Sequence, residues 1–233
     1  MQLATWLVIL FAAGCSSVLG IDSDYVLADG SAGSAAAGHG GGGSSGTGGS
    51  GGTGGATGPT NVVLAANGAT IESFTSEYCN PDNLPTDCLP DYWSHANIND
   101  GDHAQGSNPN AFRAAWASAA KGGQTTAEEF VFSFSNGMSA RIGSVTLQNY
   151  GEEPGNGPYY ATHVVLHAEP PGGGAWSEIL NVDLAENEEP QVFDLVAING
   201  SEAEAGRLRL TITAGVDSDY WDLGEFEAWG YLF

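Results

Sequence analysis

The sequence predicts an all-β domain, a β-sandwich, over residues 60–233. Its short segments alternate apolar with polar residues or are rich in β-branched and aromatic side chains. Turn-forming Gly, Asn, Asp and Pro separate these segments, and almost none of them shows a helical period. Short strands joined by turn-rich connections are typical of sandwiches and barrels.

The strands are predicted in sequence order from their apolar pattern. Phe130, Phe132 and Phe134 alternate with polar or smaller residues, which predicts a half-buried strand with a phenylalanine face. Residues 111–118 fit either a helical turn or a strand, and Trp116 within them is predicted to be a core aromatic. The predicted strands cover residues 61–65, 69–74, 128–134, 142–147, 162–168, 176–184, 191–195, 207–213 and 223–229.

Two histidines in one predicted strand could be taken for a pair of metal ligands. His163 and His167 lie four positions apart, a spacing that joins ligands on a helix but separates them by about 13 Å along a strand. We therefore expect both to be surface or structural histidines.

The chain is strongly acidic. The chain has five Lys and Arg residues and 28 Asp and Glu residues, which gives a formal net charge of −23. Such a surface repels phosphate backbones, which excludes nucleic acid as a partner. It is compatible with cation binding, with neutral sugars, or simply with a well-solvated exterior.

Residues 1–14 are predicted to be a signal peptide for export. The apolar run 3–13 has signal-peptide length and is too short to span a bilayer. It ends in residues 11–16, FAAGCS, which resemble the lipobox of bacterial lipoproteins, with Cys15 as the lipidated residue. The alternative is a plain secretory signal that leaves Cys15 discarded or free. Ser16 after the cysteine implies, by the same resemblance, retention in the outer rather than the inner membrane.

Residues 15–59 are predicted to be a flexible tether. From residue 29 to 58 the chain is almost entirely Gly, Ser, Ala and Thr, which supplies no apolar side chains to offset the entropy of ordering. With Cys15 assigned to a lipid, Cys79 and Cys88 remain. In an exported protein they are expected to form a disulfide, since a redox pair would need closer, CxxC-type spacing.

An oxygen-rich turn occupies residues 97–102, NINDGD. Carboxylates, amides and backbone carbonyls are the ligands that calcium prefers. An Asn-Asp-Gly turn is also common without any metal. Residue types alone favour neither a calcium site nor a turn without metal.

The domain resembles the discoidin, or coagulation-factor F5/8 type C, family. Three segments in order carry the resemblance: residues 97–102 followed by Trp116, the strand pair within 130–147, and residues 207–210 followed by 223–230, LGEFEAWG. The resemblance implies a galactose-binding-like jelly roll, shared with many carbohydrate-binding modules. It also implies a structural calcium site, mapped onto Asn97, Asp100, Asp102, Gly224 and Glu225.

A sugar site follows less directly from the resemblance. Galactose-binding members typically place a His after the loop tryptophan and an Arg with an Asn in a later loop. Here Ala117 and Ser118 follow Trp116, and no Arg lies within 148–158. The ligand-binding candidates are therefore aromatic platforms and one amide, namely Tyr92, Trp93, Asn149, Tyr159, Tyr160 and Trp176.

The sequence thus predicts a non-catalytic, surface-anchored binding module, monomeric, that binds a carbohydrate or an adhesive partner. The alternative is a protein-interaction or structural module of the cell envelope without a glycan site. An enzyme is not expected: Glu225 and Glu227 suit a paired-carboxylate hydrolase only by spacing, with no supporting constellation.

Overall fold

Alternation of apolar and polar residues organises the chain into antiparallel strands. The computed structural model describes residues 58–79, 92–103, 113, 115–123, 126–150 and 159–233. Their elements are β1 (Thr60–Asn61), β2 (Thr70–Phe74), β3 (Trp116–Ala117), β4 (Glu128–Ser133), β5 (Ala140–Gln148), β6 (Ala161–Glu169), β7 (Ser177–Asp183), β8 (Gln191–Asp194), α1 (Leu195–Asn199), β9 (Ala203–Ala205), β10 (Arg207–Gly215), β11 (Asp222–Leu223) and β12 (Glu225–Leu232). None of the helices in these ranges is long and apolar enough to cross a membrane.

Two five-stranded sheets form the sandwich. Sheet A has the order β1-β12-β5-β8, with β9 also pairing β5, and sheet B has the order β2-β4-β10-β6-β7. A third ribbon pairs β11 with β3. At one end of the sandwich, called here the loop end, β2, β5, β7 and β10 finish while β4, β6, β8 and β12 begin. The connections at this end carry the oxygen-rich turn and most of the predicted ligand residues.

The inner faces of the sheets supply the core. The rings of Phe132 in sheet B and Phe226 in sheet A meet with centroids 5.1 Å apart. The predicted phenylalanine face is confirmed, because Phe130 and Phe132 are fully buried and Phe134 nearly so. Trp116 is also buried, as predicted, and its indole N–H donates to the Ser76 carbonyl at 2.8 Å.

Three predicted segments differ in detail. The strand predicted at 61–65 stops at Asn61, whose side-chain Oδ1 accepts from Val63 N and turns the chain away. The strand predicted at 191–195 ends at Asp194, which caps α1 through Ala197 N at 3.0 Å. In β5 a bulge at Gly143 shifts the register, so the core-facing residues change phase after Ile142.

Candidate functional site

The oxygen-rich turn meets the start of β12, as the sequence predicts. A 3₁₀ turn, His95–Asn99, leads into Gly101, whose φ of 84° suits glycine. The backbone N–H of Gly101 donates to Glu225 Oε2 at 3.2 Å across 124 positions of sequence. Two asparagines anchor the turn from beneath, since Asn97 Nδ2 donates to the Ala115 carbonyl and Asn99 Nδ2 to the Val63 carbonyl.

Among the carboxyl groups at this junction, Glu225 has the most strongly shifted pKa. It is 1% exposed, and its Oε1 has no hydrogen-bond partner. Burial and the neighbouring charge of Asp100 raise the pKa of Glu225 to about 10. The pKa of Asp100 is raised as well, by burial and by Asp102. Glu225 therefore lacks a compensating positive group among the described residues.

The same carboxylates are the side chains that could hold a cation. Among the described residues no group of three or more His, Cys, Asp or Glu side chains is close enough to hold a metal ion unaided. An ion here would need backbone carbonyl oxygens in addition, which calcium accepts. Gly224 packs closely against the end of β5, because its N–H donates to the Gln148 carbonyl at 2.7 Å and a Cβ on it would lie 3.2 Å from that oxygen.

A second contact, which the sequence analysis missed, fastens the turn to β12. His103 Nδ1 lies 2.7 Å from Gln148 Oε1, and its Nε2 lies 3.2 Å from Glu227 Oε1. Both partners accept, so both ring nitrogens donate and the imidazole is protonated. These hydrogen bonds raise the pKa of His103 to about 9. Nothing local marks His103, because its partners lie 45 and 124 positions away.

Five of the six predicted ligand-binding residues lie at the loop end. Trp93 is half-buried, adopts φ 51°, and its ring meets Tyr150 edge-on at 5.0 Å. Tyr159 is half-buried and contacts Tyr220 edge-on at 5.7 Å. Edge contacts of this kind hold each ring in one orientation.

The other three loop-end candidates are more structural. Tyr92 lies against Arg113, whose guanidinium is 5.7 Å from its ring centroid. Tyr160 is 7% exposed and bridges to Asp222 through the backbone. Asn149 is fully buried, and its Nδ2 donates to two backbone carbonyls at 3.1 Å while its Oδ1 has no partner.

Trp176 is separated from this group. It immediately precedes β7, next to the opposite end of β6, about 24 Å along the strand from the loop end. There it lies beneath Arg207 and Arg209, whose guanidinium carbons are 5.5 and 5.0 Å from its ring centroid. Trp176 therefore cannot share a small ligand with Trp93 or Tyr159.

Asp222 is a further loop-end residue that the sequence analysis did not single out. It is 3% exposed in β11, and its Oδ1 has no hydrogen-bond partner. Burial raises the pKa of its carboxyl well above 3.8, and no neighbouring group opposes that shift.

The predicted cysteine sites lie largely outside the described residues. Cys79 is buried at the end of the segment that follows β2, whereas Cys15 and Cys88 lie outside the described ranges. The Cys79–Cys88 disulfide and the lipidation of Cys15 stay predictions.

Comparison with known proteins establishes the fold. No protein-family model and no curated protein matches the chain. A chitobiase C-terminal domain from Bacteroides fragilis is similar in structure, with a TM-score of 0.53 and 15% identity over 75% of this chain and 99% of that one. Fucolectin from striped bass serum (Morone saxatilis) has a TM-score of 0.51 and 14% identity over 75% of this chain and 50% of that one.

Enzymes share the same architecture. Allantoicase from Saccharomyces cerevisiae has a TM-score of 0.50 and 13% identity over 74% of this chain and 43% of that one. The chain thus has the predicted galactose-binding-like jelly roll of discoidin-type domains. At these identities the likeness establishes the fold, and the site must supply the argument for function.

Proposed function

We propose that this chain is a non-catalytic glycan-binding module whose site lies at the loop end. The observation that carries the proposal is the pair of half-buried rings, Trp93 and Tyr159, each held by an edge contact with another tyrosine. A ring held in this way stacks on the C–H face of a sugar with little further loss of entropy. The fucolectin likeness supports a sugar ligand.

The glycan proposal is tested with a glycan array probed by the full chain. We expect saturable binding to at least one glycan, weakened about tenfold or more by Tyr159→Ala, which removes a stacking surface. Val216→Ala is the matched control, because Val216 is a 41% exposed loop-end residue outside the aromatic pairs. An array without hits, alongside co-purifying envelope proteins, would instead support the alternative of a protein-interaction module.

We also propose that the loop end is braced by a structural calcium ion. The carboxylates of Asp100 and Glu225 would hold it, with backbone carbonyl oxygens of Asn97, Asp102 and Gly224. Support comes from the unpartnered Oε1 of Glu225 and from the repulsion between the carboxylates of Asp100 and Glu225. Calcium would supply the missing positive charge and fasten the turn to β12.

Calcium binding should release a proton. Because the pKa of Glu225 is about 10 without metal, its carboxyl is protonated at pH 7.5 and must lose that proton to ligate. Calorimetric titration with Ca²⁺ in two buffers of different ionisation enthalpy should report release of about one proton. Saturation at 100 times Kd should stabilise the fold by about 2.7 kcal/mol.

Glu225→Gln should abolish calcium binding, while Glu204→Gln, at an exposed position on β9, should leave it unchanged. No calcium binding tighter than about 1 mM, the weak limit for extracellular modules, would refute the site. Equal affinity in Glu225→Gln would refute the assignment of Glu225.

A catalytic role is not part of the proposal. Glu225 and Glu227, the pair that suits a hydrolase by spacing, are engaged by the Gly101 N–H and by His103.

The module is proposed to lie outside the cell, joined to the envelope by lipid on Cys15 and the Gly-rich tether. Cys15→Ser should move the protein from the membrane fraction to the soluble fraction, and unchanged fractionation would contradict lipidation.

A further inference from the structure

The outer face of β12 carries a row of three aromatic rings. Phe226, Ala228 and Leu232 point into the core or pack against it, so the alternate residues of the strand point outward. In the second half of β12 and directly after it, the outward residues are Trp229, Tyr231 and Phe233, called here the aromatic row. Phe233 continues the strand, since its N–H donates to the Ser139 carbonyl at 2.8 Å.

The row is open where the rest of the strand is covered. The outward residues at the start of β12, Glu225 and Glu227, are buried in contact with the 97–103 segment. Further along, Tyr231 is 44% and Phe233 51% exposed. At two residues per ring the row spans about 14 Å of strand. A contiguous exposed apolar patch marks an interaction site more often than scattered apolar residues do.

The rings at both ends of the row are held in place. Trp229 Nε1 donates to Glu227 Oε2 at 3.1 Å. Phe233 lies beneath Arg141, whose guanidinium carbon is 5.1 Å from the ring centroid. Arg141 in turn donates to Glu204 Oε1 at 2.9 Å. A ligand stacking on these rings therefore finds them already oriented.

The surroundings of the row select its partner. Ser144 and Arg141 lie opposite Trp229 and Tyr231 on the neighbouring strand, so groups that hydrogen-bond hydroxyls flank the rings. Arg141 is already paired with a carboxylate, and the chain carries a formal charge of −23, which repels anionic polymers. A strip of this length is also too small for a stable protein interface, which needs about 800 Å² on each side.

We propose that the aromatic row is a second glycan-binding surface, which takes an extended neutral polysaccharide along β12. Pyranose rings would stack on the aromatic faces while their hydroxyls bond Ser144, Arg141 and Glu204. The surface is independent of the loop-end site, because Tyr231 lies six residues, about 20 Å, from Glu225.

The test is affinity electrophoresis of the full chain in gels containing hydroxyethyl cellulose, xylan or β-glucan, with polygalacturonate as the anionic comparison. We expect retention by at least one neutral polysaccharide and none by polygalacturonate. Tyr231→Ser/Phe233→Ser should weaken retention about tenfold. Ile198→Ser, which alters a 53% exposed residue on α1 that is not part of the row, should leave it unchanged.

Several results would overturn the proposal. These are equal retention of Tyr231→Ser/Phe233→Ser, no retention of the parent chain by any neutral polymer, or retention by polygalacturonate. Loss of retention in Tyr159→Ala with full retention in Tyr231→Ser/Phe233→Ser would move the polymer to the loop end. Light scattering that finds a dimer for the parent and a monomer for the double variant would assign the row to self-association instead.

Discussion

Asp222 is a buried carboxyl without a compensating partner among the described residues, and its effect on stability can be predicted. A raised pKa in the folded state means that the folded chain binds more protons than the unfolded chain above pH 3.8. The contribution of Asp222 to the free energy of unfolding therefore falls as pH rises above that value. Asp222→Asn removes this penalty, so we expect the variant to be more stable at pH 7.5, by about 1–3 kcal/mol.

The stability difference should shrink towards pH 4, as thermal unfolding at several pH values can measure. Asp183→Asn is the control, because the Asp183 side chain is 90% exposed. If Asp222→Asn were less stable than the parent at pH 7.5, the Asp222 carboxylate would have a stabilising role that its surroundings do not suggest.

Lys121 and Glu128 form the most deeply buried ion pair in the described part of the chain. Their side chains are 2% and 4% exposed, and Lys121 Nζ lies 2.6 Å from Glu128 Oε1 and 4.2 Å from the Trp221 ring centroid. Lys121→Met leaves a buried charge without its partner, and we expect a loss of about 3–5 kcal/mol in urea unfolding.

Arg141→Met is the comparison for Lys121→Met, because it breaks an ion pair that is more than half exposed. That change should lower the free energy of unfolding by less than about 1 kcal/mol. Equal losses in the two variants would contradict the importance given to burial.

Residue-scale prediction from sequence succeeded where a motif carries the information. The turn at 97–102 and Glu225 were expected to meet, and Gly101 and Glu225 do. His103 and Asp222 were missed because their state depends on groups brought near by the fold. The local sequence marks neither residue as unusual, and only burial or a distant carboxylate shifts its pKa.

At the scale of elements, the 97–103 segment is fastened to β12 by His103. The pKa of His103 is raised from 6.5 to about 9 by Glu227 and Gln148. A raised histidine pKa adds stability that is fully present below pH 6.5 and is lost as pH rises through about 9. In metal-free protein, we therefore expect the parent to lose more stability than His103→Gln as pH rises from 6 to 10.

The measurement is the thermal midpoint at pH 6, 8 and 10 in the presence of a chelator. Asp222, Glu225 and the other titrating groups act in both proteins, so the difference between parent and variant isolates His103. A difference that stays constant from pH 6 to pH 10 would show that protonated His103 does not fasten the segment.

Strands were predicted well, and their irregularities were not. Alternation predicted β4 and β10 because each strand has one apolar face against the core. The bulge at Gly143 and the end of β8 at Asp194 escaped, since the first depends on register with β12 and the second on a capping side chain. A strand's neighbours, which sequence alone does not supply, decide both.

At the scale of the whole molecule, residues that are up to about 130 positions apart in the sequence lie together at one end of the sandwich. Trp93, Tyr159 and the Glu225 junction come from separate connections, yet antiparallel topology brings all of them to the loop end. Trp176, an equal candidate by sequence, is carried to the other end by β6 and β7. Composition could not distinguish these two tryptophans, whereas strand direction does.

The two tryptophans therefore provide the most direct test of the central claim, that a glycan is bound at the loop end. The measurement is the Kd of the strongest array glycan for the parent, Trp93→Ala and Trp176→Ala, with thermal midpoints taken to confirm folding. We expect Trp93→Ala to weaken binding about tenfold or more and Trp176→Ala to change it by less than about twofold. Loss of binding in Trp176→Ala with full affinity in Trp93→Ala would contradict the claim.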